Sequence, residues 1–186
     1  SKTANKKKKT TPKAAQKRKL CRPMLGSDIL VAALEREGVD TIFAYPGGAS
    51  MELHQALTRS SQIRTILPRH EQGGAFAAGG YARATGRAGV CMGTSGPGAT
   101  NLVTGIAQAA AAFSPVVSIA GSYSTKDKMQ DAFQGLDQQS LFKPITKKTW
   151  TIKDTKKIPT VFSEAFNLAM SPRRGPVQLL SLIHIS

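Results

Sequence analysis

Ile63-Arg64-Thr65-Ile66-Leu67-Pro68-Arg69-His70-Glu71-Gln72-Gly73-Gly74 passes from a short apolar run, Ile63 to Leu67, into an Ala/Gly-rich segment that continues to Gly86. The order reads as strand, tight turn, helix, with Glu71 in the first turn of the helix. A carboxylate so placed points outward from the carboxyl end of a strand, where open α/β sheets put their ligands. The plainer reading is that Glu71 only complements the helix dipole, worth about 0.3–1 kcal/mol. The helix also carries Gly73, Gly74, Gly79 and Gly80, each costing about 1 kcal/mol against alanine. Close approach of another backbone would compensate. Either the helix packs tightly on its own sheet, or it forms a helix–helix subunit interface.

The same rhythm extends in both directions. Toward the N-terminus, Gly26-Ser27-Asp28 starts a helix with Ser27 as its N-cap. Leu30, Ala33 and Leu34 share one face of it, and Gly38 ends it. Thr41–Ala44 is a short buried strand, Tyr45-Pro46-Gly47-Gly48 a loop, and Ser50 to Thr58 the next helix. Toward the C-terminus come a strand at Val90–Thr94, the loop Ser95-Gly96-Pro97-Gly98, a helix from Ala99 to about Ala112, and a strand at Val116–Ala120. Gly121 to Lys143 is loop plus a short helix, and Thr149–Ile152 another strand. Ile158, Val161, Phe162, Ala165, Phe166 and Ala169 repeat at helical spacing, with Pro159 in the first turn. Pro176–Leu180 closes the series as a strand. Strands alternating with helices at this spacing predict a three-layer α/β/α domain. Its sheet is mostly parallel, doubly wound in the flavodoxin-like manner, with helices on both faces.

The 186 residues fit one domain, and 40% of them are hydrophobic, enough for a sizeable core. No apolar run approaches a membrane span, and the N-terminus lacks a secretory h-region. The net charge of +15 is uneven. Residues 1–22 hold ten of the 26 Lys and Arg and no acid, so the remainder carries only +5. Residues 1–23 therefore read as a disordered Lys-rich tail, solvated rather than bound to nucleic acid. The tail is poor in Ser and Arg, which argues against an organelle transit peptide. A reducing, cytoplasmic setting is the default, with an organelle as the alternative if the tail is a targeting segment. The chain does not begin with Met, which points to a cut or processed start. Cys21 and Cys91 make no disulfide framework.

Three glycine-bearing turns follow strands: 45–48, 71–74 and 95–98. All project from one edge of a parallel sheet, where glycines let a ligand approach the backbone and helix N-termini offer N–H donors. None fits a dinucleotide fingerprint or a P-loop. His54, His70 and His184 are scattered, so no metal cluster and no Ser-His-Asp triad is assembled. His70 is a candidate base or, more plainly, a hydrogen-bonded structural histidine.

The residues resemble the N-terminal, pyrimidine-binding domain of thiamine-diphosphate-dependent enzymes, in particular that of the acetolactate synthase (acetohydroxyacid synthase) large subunit. The matching stretches are Ile42–Ala49, Arg69–Gln72 through Gly80–Gly86, Thr94–Asn101 and Asp131–Gln134. The likeness covers roughly 24–180, so 181–186 reads as a non-family tail, a truncation or assembly artefact. The resemblance implies that Glu71 hydrogen-bonds N1′ of the cofactor's aminopyrimidine. The imino tautomer so favoured lets the cofactor deprotonate its own thiazolium. The ylide attacks a 2-keto acid, carbon dioxide leaves, and the product adds to a second 2-keto acid, a step of branched-chain amino acid biosynthesis. By the same likeness Tyr45, Pro46 and Gly47 line the reaction cavity, and Gly48 does so through its backbone. Pro97 and Asn101 lie near the pyrimidine, and Phe133 and Gln134 near the substrate, with Gln134 and Gly48 in catalytic roles.

Mg²⁺ and FAD are expected only through domains missing from this chain. The partners implied are a second copy in a homodimer or tetramer, the diphosphate-binding domain of a partner subunit, and a regulatory small subunit. The fragment alone is then expected to be inactive. Gly135, Ala109–Phe113 and Ser122–Gln130 depart from the usual acetolactate synthase pattern, near where substrate and subunit contacts are expected. The remaining readings are another decarboxylase or lyase of the superfamily, acting on benzoylformate or oxalyl-CoA, and a non-catalytic basic binding protein.

Overall fold

The computed structural model describes residues 24–121 and 136–181. The elements in chain order are α1 (Gly26–Arg36), β1 (Thr41–Ala44), α2 (Met51–Arg59), β2 (Arg64–Ile66), α3 (Glu71–Thr85), β3 (Gly89–Gly93) and α4 (Pro97–Ala111). They continue with β4 (Val116–Gly121), α5 (Gln138–Phe142), β5 (Thr149–Ile152), α6 (Ile158–Met170) and β6 (Val177–Ser181). The six strands form one sheet in the order β2-β1-β3-β4-β6-β5, and every pairing is parallel. The expected sheet was mostly parallel; among the described strands it is wholly so. The chain steps outward from β1 to β2, then returns past β1 to β3, so the order reverses between β1 and β3. Connections diverge there and leave a crevice at the carboxyl ends of the two strands. No described helix is long and apolar enough to cross a membrane.

Two cores flank the sheet. Leu30, Leu34, Ile42, Val90, Met92, Ile119, Phe162 and Leu179 join α1, α2 and α6 to one face. Ala75, Ala78, Cys91, Leu102, Ile106 and Phe142 join α3, α4 and α5 to the other. β3 and β4 are buried at every residue, as near-continuous apolar strands covered on both faces should be. Cys91 is fully buried, which pushes its thiol up to about 12.

α1 begins one residue before the expected cap. Leu25 is the N-cap, its carbonyl accepting from the Ile29 N–H at 3.0 Å, and Ser27 lies inside the helix with its hydroxyl buried and without a hydrogen-bond partner. The helix instead takes Ser27 into its buried face. Gly38, at φ +76°, ends the helix as expected. A short 3-10 turn, Gly48–Ser50, precedes α2.

The glycines of α3 divide by environment. A Cβ at Gly74 would lie 3.1 Å from the Pro68 ring, whereas one at Gly73 or Gly80 would meet nothing within 4 Å. The tightest approaches to α3 come from glycines elsewhere. A Cβ at Gly105 of α4 would stand 2.4 Å from Ala75 Cβ, and one at Gly89 of β3 would stand 2.0 Å from the Ala78 carbonyl oxygen. α3 is therefore seated on its own sheet and on α4, with Gly73 and Gly80 left on the open side.

The far end of α3 is tied down by polar contacts. Asp40, just before β1, accepts from the Tyr81 hydroxyl at 2.6 Å and from the Arg87 guanidinium at 2.6 Å, and Arg87 also donates to the Gly38 carbonyl. The Tyr81 hydroxyl and then the Arg87 guanidinium hold the Asp40 carboxyl down at about 2. Because that value lies below the unfolded one, the cluster stabilises the fold above the ordinary carboxylate range and loses this effect as pH falls toward 2. The groups are half-exposed, so screening limits the effect to about 1 kcal/mol. Asp40→Asn is expected to cost that much in urea unfolding at pH 7, and the gap to the parent is expected to close as the medium is acidified. A gap constant with pH would contradict the assignment.

Candidate functional site

The turns after β1, β2 and β3 leave the sheet at its carboxyl edge, as parallel strands require. The one after β2 delivers Glu71 as the first residue of α3, only 7% exposed. His70 is the N-cap of that helix: it is exposed, and its Nδ1 accepts from the Gln72 N–H at 3.1 Å. It is the structural histidine rather than a base aimed into the crevice.

From α4, the Asn101 Nδ2 donates to Glu71 Oε2 at 2.9 Å. The first turn of α4 reaches the other carboxylate oxygen: a Cβ at Gly98 would stand 3.2 Å from Glu71 Oε1. Burying an ionised carboxylate costs several kcal/mol. The helix dipole returns at most about 2 kcal/mol, and a hydrogen bond to a charged group about 1.5–3 kcal/mol. These terms are of one order, so the arrangement adds little stability. The dipole alone does not account for an acid at this depth.

Thr94, immediately after β3, lies between the other two turns. Its Oγ1 accepts from the Ala49 N–H at 3.2 Å, and its Cβ would be 2.5 Å from a Cβ at Gly47. Gly96, at φ +61°, makes the bend into α4, and Pro97 occupies the first turn of that helix, exposed. Tyr45 is half-buried, with its N–H donating to the Met92 carbonyl at 3.1 Å; Pro46 and Gly48 are exposed. A Cβ at Gly48 would meet nothing within 4 Å, so the tip of this turn is open. None of Glu71, Asn101, Tyr45, Pro46, Gly47, Gly48 or Pro97 is basic, which suits a nitrogen heterocycle better than a phosphate.

The structure thus brings Glu71 and Asn101 into contact and sets the β1 and β3 turns against each other. Phe133 and Gln134 lie outside the described residues, as do the tail 1–23 and residues 182–186. Thr94 and the pairing of Asn101 with Glu71 are additions that spacing along the chain did not show. The signal for Thr94 was present, a β-branched residue between a buried strand and a glycine turn. Beside the β1 turn, the space bounded by Ser27, Ala49, Ser50 and Gly121 is about 20 Å³, room for a single water. A larger cleft of about 220 Å³ sits at the opposite end of the sheet, around Asp40, Tyr81 and Arg87, and contains none of these residues.

A doubly wound parallel domain with a buried glutamate at its switch point is the architecture of a cofactor-binding domain. The chain belongs to the thiamine pyrophosphate enzymes: residues 24–141 match the family described as "Thiamine pyrophosphate enzyme, N-terminal TPP binding domain". Its similarity narrows further. It is 57% identical over 155 residues to "Acetolactate synthase, chloroplastic" of Arabidopsis thaliana, an alignment covering 83% of this chain and 23% of that protein. It is 59% identical to "Acetolactate synthase 2, chloroplastic" of Nicotiana tabacum, with the same coverage. It is 56% identical to "Acetolactate synthase 1, chloroplastic" of Oryza sativa subsp. japonica, covering 83% of this chain and 24% of the relative. The chain spans about a quarter of the length of the curated relatives it matches.

Proposed function

We propose that this chain is the pyrimidine-binding domain of an acetolactate synthase, an enzyme that decarboxylates pyruvate and joins the remaining two carbons to a second 2-keto acid. The observation that carries the reading is Glu71, buried at the crevice between β1 and β3 with Oε2 held by Asn101. The residues fit the aminopyrimidine of thiamine diphosphate. A carboxylate matches a ring nitrogen able to carry a proton, and Asn101 already orients one of its oxygens.

When bound, thiamine diphosphate supplies a nucleophilic carbon and an electron sink for loss of carbon dioxide. The chain's own part is to hold and orient. Asn101 fixes one oxygen of Glu71, which leaves the other to share a proton with N1′ of the ring and so tune its basicity. Pro97 bounds the ring from the first turn of α4. Tyr45, Pro46 and Gly47 border the reaction cavity, and Gly48 offers its backbone at the open tip of the turn. Phe133 and Gln134 are assigned to the substrate side. Mg²⁺ and FAD are assigned to the remainder of the full-length protein, together with the domain that holds the diphosphate.

The partner surface is assigned to α3 and α4, in a homodimer or tetramer whose other subunit completes the site. Gly73 and Gly80 on the open side of α3, with Phe76 41% exposed between them, support a helix packing there. A regulatory small subunit is a further expected partner. The relatives are named as chloroplastic, which favours the organelle alternative over the cytoplasm for this protein.

The test is acetolactate formation from pyruvate by the full-length protein, with and without added thiamine diphosphate. Formation dependent on the cofactor is expected, and none from the isolated 186-residue chain. Turnover by the chain alone, or a full-length protein inert toward pyruvate, would overturn the reading.

A further inference from the structure

We propose that Thr94 is a positioning residue that sets the height of the Tyr45–Ala49 turn above Glu71, acting through its hydroxyl on one side and its methyl group on the other. The proposal rests on the cofactor reading above and assigns a role to a side chain outside the set that would touch the ligand.

Thr94 is 8% exposed and stands where the sheet order reverses, between the ends of β1 and β3. Its Oγ1 accepts from the Ala49 N–H at 3.2 Å, which ties the β1 turn to the end of β3 across 45 residues of sequence. Its carbon atoms exclude a side chain from both neighbouring turns. A Cβ at Gly47 would lie 2.5 Å from Thr94 Cβ, and one at Gly98 would lie 2.6 Å from Thr94 Cγ2. Two of the glycines that first read as openings for a ligand are therefore filled by Thr94. Within the β1 turn, Gly48, with nothing within 4 Å of a Cβ, is left open.

The opposite side of the same turn is also gauged. A Cβ at Gly121 of β4 would stand 2.7 Å from the Ala49 carbonyl oxygen, so Ala49 is held between two strands. A β-branched side chain is stiff about χ1, which makes Thr94 a rigid spacer. The space spared at Gly98 is flanked by the Thr94 methyl group and by Glu71, because the same Cβ position is 3.2 Å from Glu71 Oε1. One residue thus references both the open Gly48 tip and the first turn of α4 to the carboxylate. Reacting groups displaced by as little as an ångström lose rate steeply. Serine would keep the hydroxyl and drop the methyl; valine would keep the shape and drop the acceptor.

The experiment compares Thr94→Val and Thr94→Ser in the full-length protein loaded with thiamine diphosphate. It reads kcat and KM for pyruvate, the Kd for thiamine diphosphate, and amide hydrogen exchange over residues 45–50. Thr94→Val is expected to lower kcat about tenfold, the equivalent of one lost hydrogen bond, while cofactor Kd is retained. Exchange over 45–50 is expected to rise with it, whereas Thr94→Ser, which keeps the acceptor and loses the methyl spacer, is expected to leave that exchange at the parental level and to lower kcat by a smaller factor. Parental kcat and exchange in Thr94→Val, or equal impairment by the two variants, would overturn the proposal. The cofactor reading is tested separately by Glu71→Gln, and thiamine-diphosphate-dependent turnover left intact would overturn it. In that event the exchange of Ala49 in the two Thr94 variants still decides whether the hydroxyl holds the turn.

Discussion

Replacing Glu71 with Gln in the full-length protein is expected to lower thiamine-diphosphate-dependent turnover by about a hundredfold or more, the range associated with loss of a positioned proton-sharing group. The amide has nearly the same shape and can still accept from Asn101 Nδ2, which now donates to Glu71 Oε2 at 2.9 Å. What it cannot do is carry a negative charge or share a proton with a ring nitrogen. The fold should hold or gain slightly, because a neutral amide is cheaper to bury than a carboxylate at 7% exposure. Lower kcat with an undiminished melting temperature is the expected pair of results. Turnover equal to the parent would remove the chemical basis of the assignment, since no other acid among the described site residues can take this place.

Gly89→Ala should have the largest effect on stability. The new Cβ would stand 2.0 Å from the Ala78 carbonyl oxygen and 2.7 Å from its carbonyl carbon, both backbone atoms of α3. No rotamer change relieves a contact with backbone, so α3 must lift from β3. Overpacking of this kind costs about 3 kcal/mol or more, which for a domain near 150 residues lowers the melting temperature by roughly 6–12 °C. Because α3 begins at Glu71, cofactor affinity should fall with stability. Gly73→Ala is the control: its Cβ meets nothing within 4 Å in this chain, and it is expected to be neutral or mildly stabilising in the isolated domain. Equal melting temperatures for Gly89→Ala and the parent would show that α3 does not sit against β3 as described.

The rhythm of elements was readable because each carries its own local signal. Thr41–Ala44 and Thr149–Ile152 appear as expected, and α6 buries Ile158, Phe162, Ala165, Phe166 and Ala169 at the anticipated spacing. Gly38 is left-handed where a helix end needs it. The cap of α1 was misplaced for a reason outside local sequence. A serine beside a glycine is a good cap in isolation, yet the helix starts at Gly26 and takes Ser27 into its buried face. Asp40, Tyr81 and Arg87 gave no sign of their alliance, because nothing in their spacing places an acid before β1 against the end of α3.

The linear chain by itself determined an alternating α/β domain, a glutamate at the start of a helix, and a family resemblance across four motifs in order. These follow from patterns within a few residues, or from whole motifs. Tertiary structure alone decided that the strands lie as β2-β1-β3-β4-β6-β5, that the order reverses beside β1, and that Asn101, 30 residues away, is the partner of Glu71. It also decided that Thr94, rather than a ligand, fills the space spared at Gly47 and Gly98. Strand order and side-chain contact depend on how separated segments pack, and that information has no local period to read.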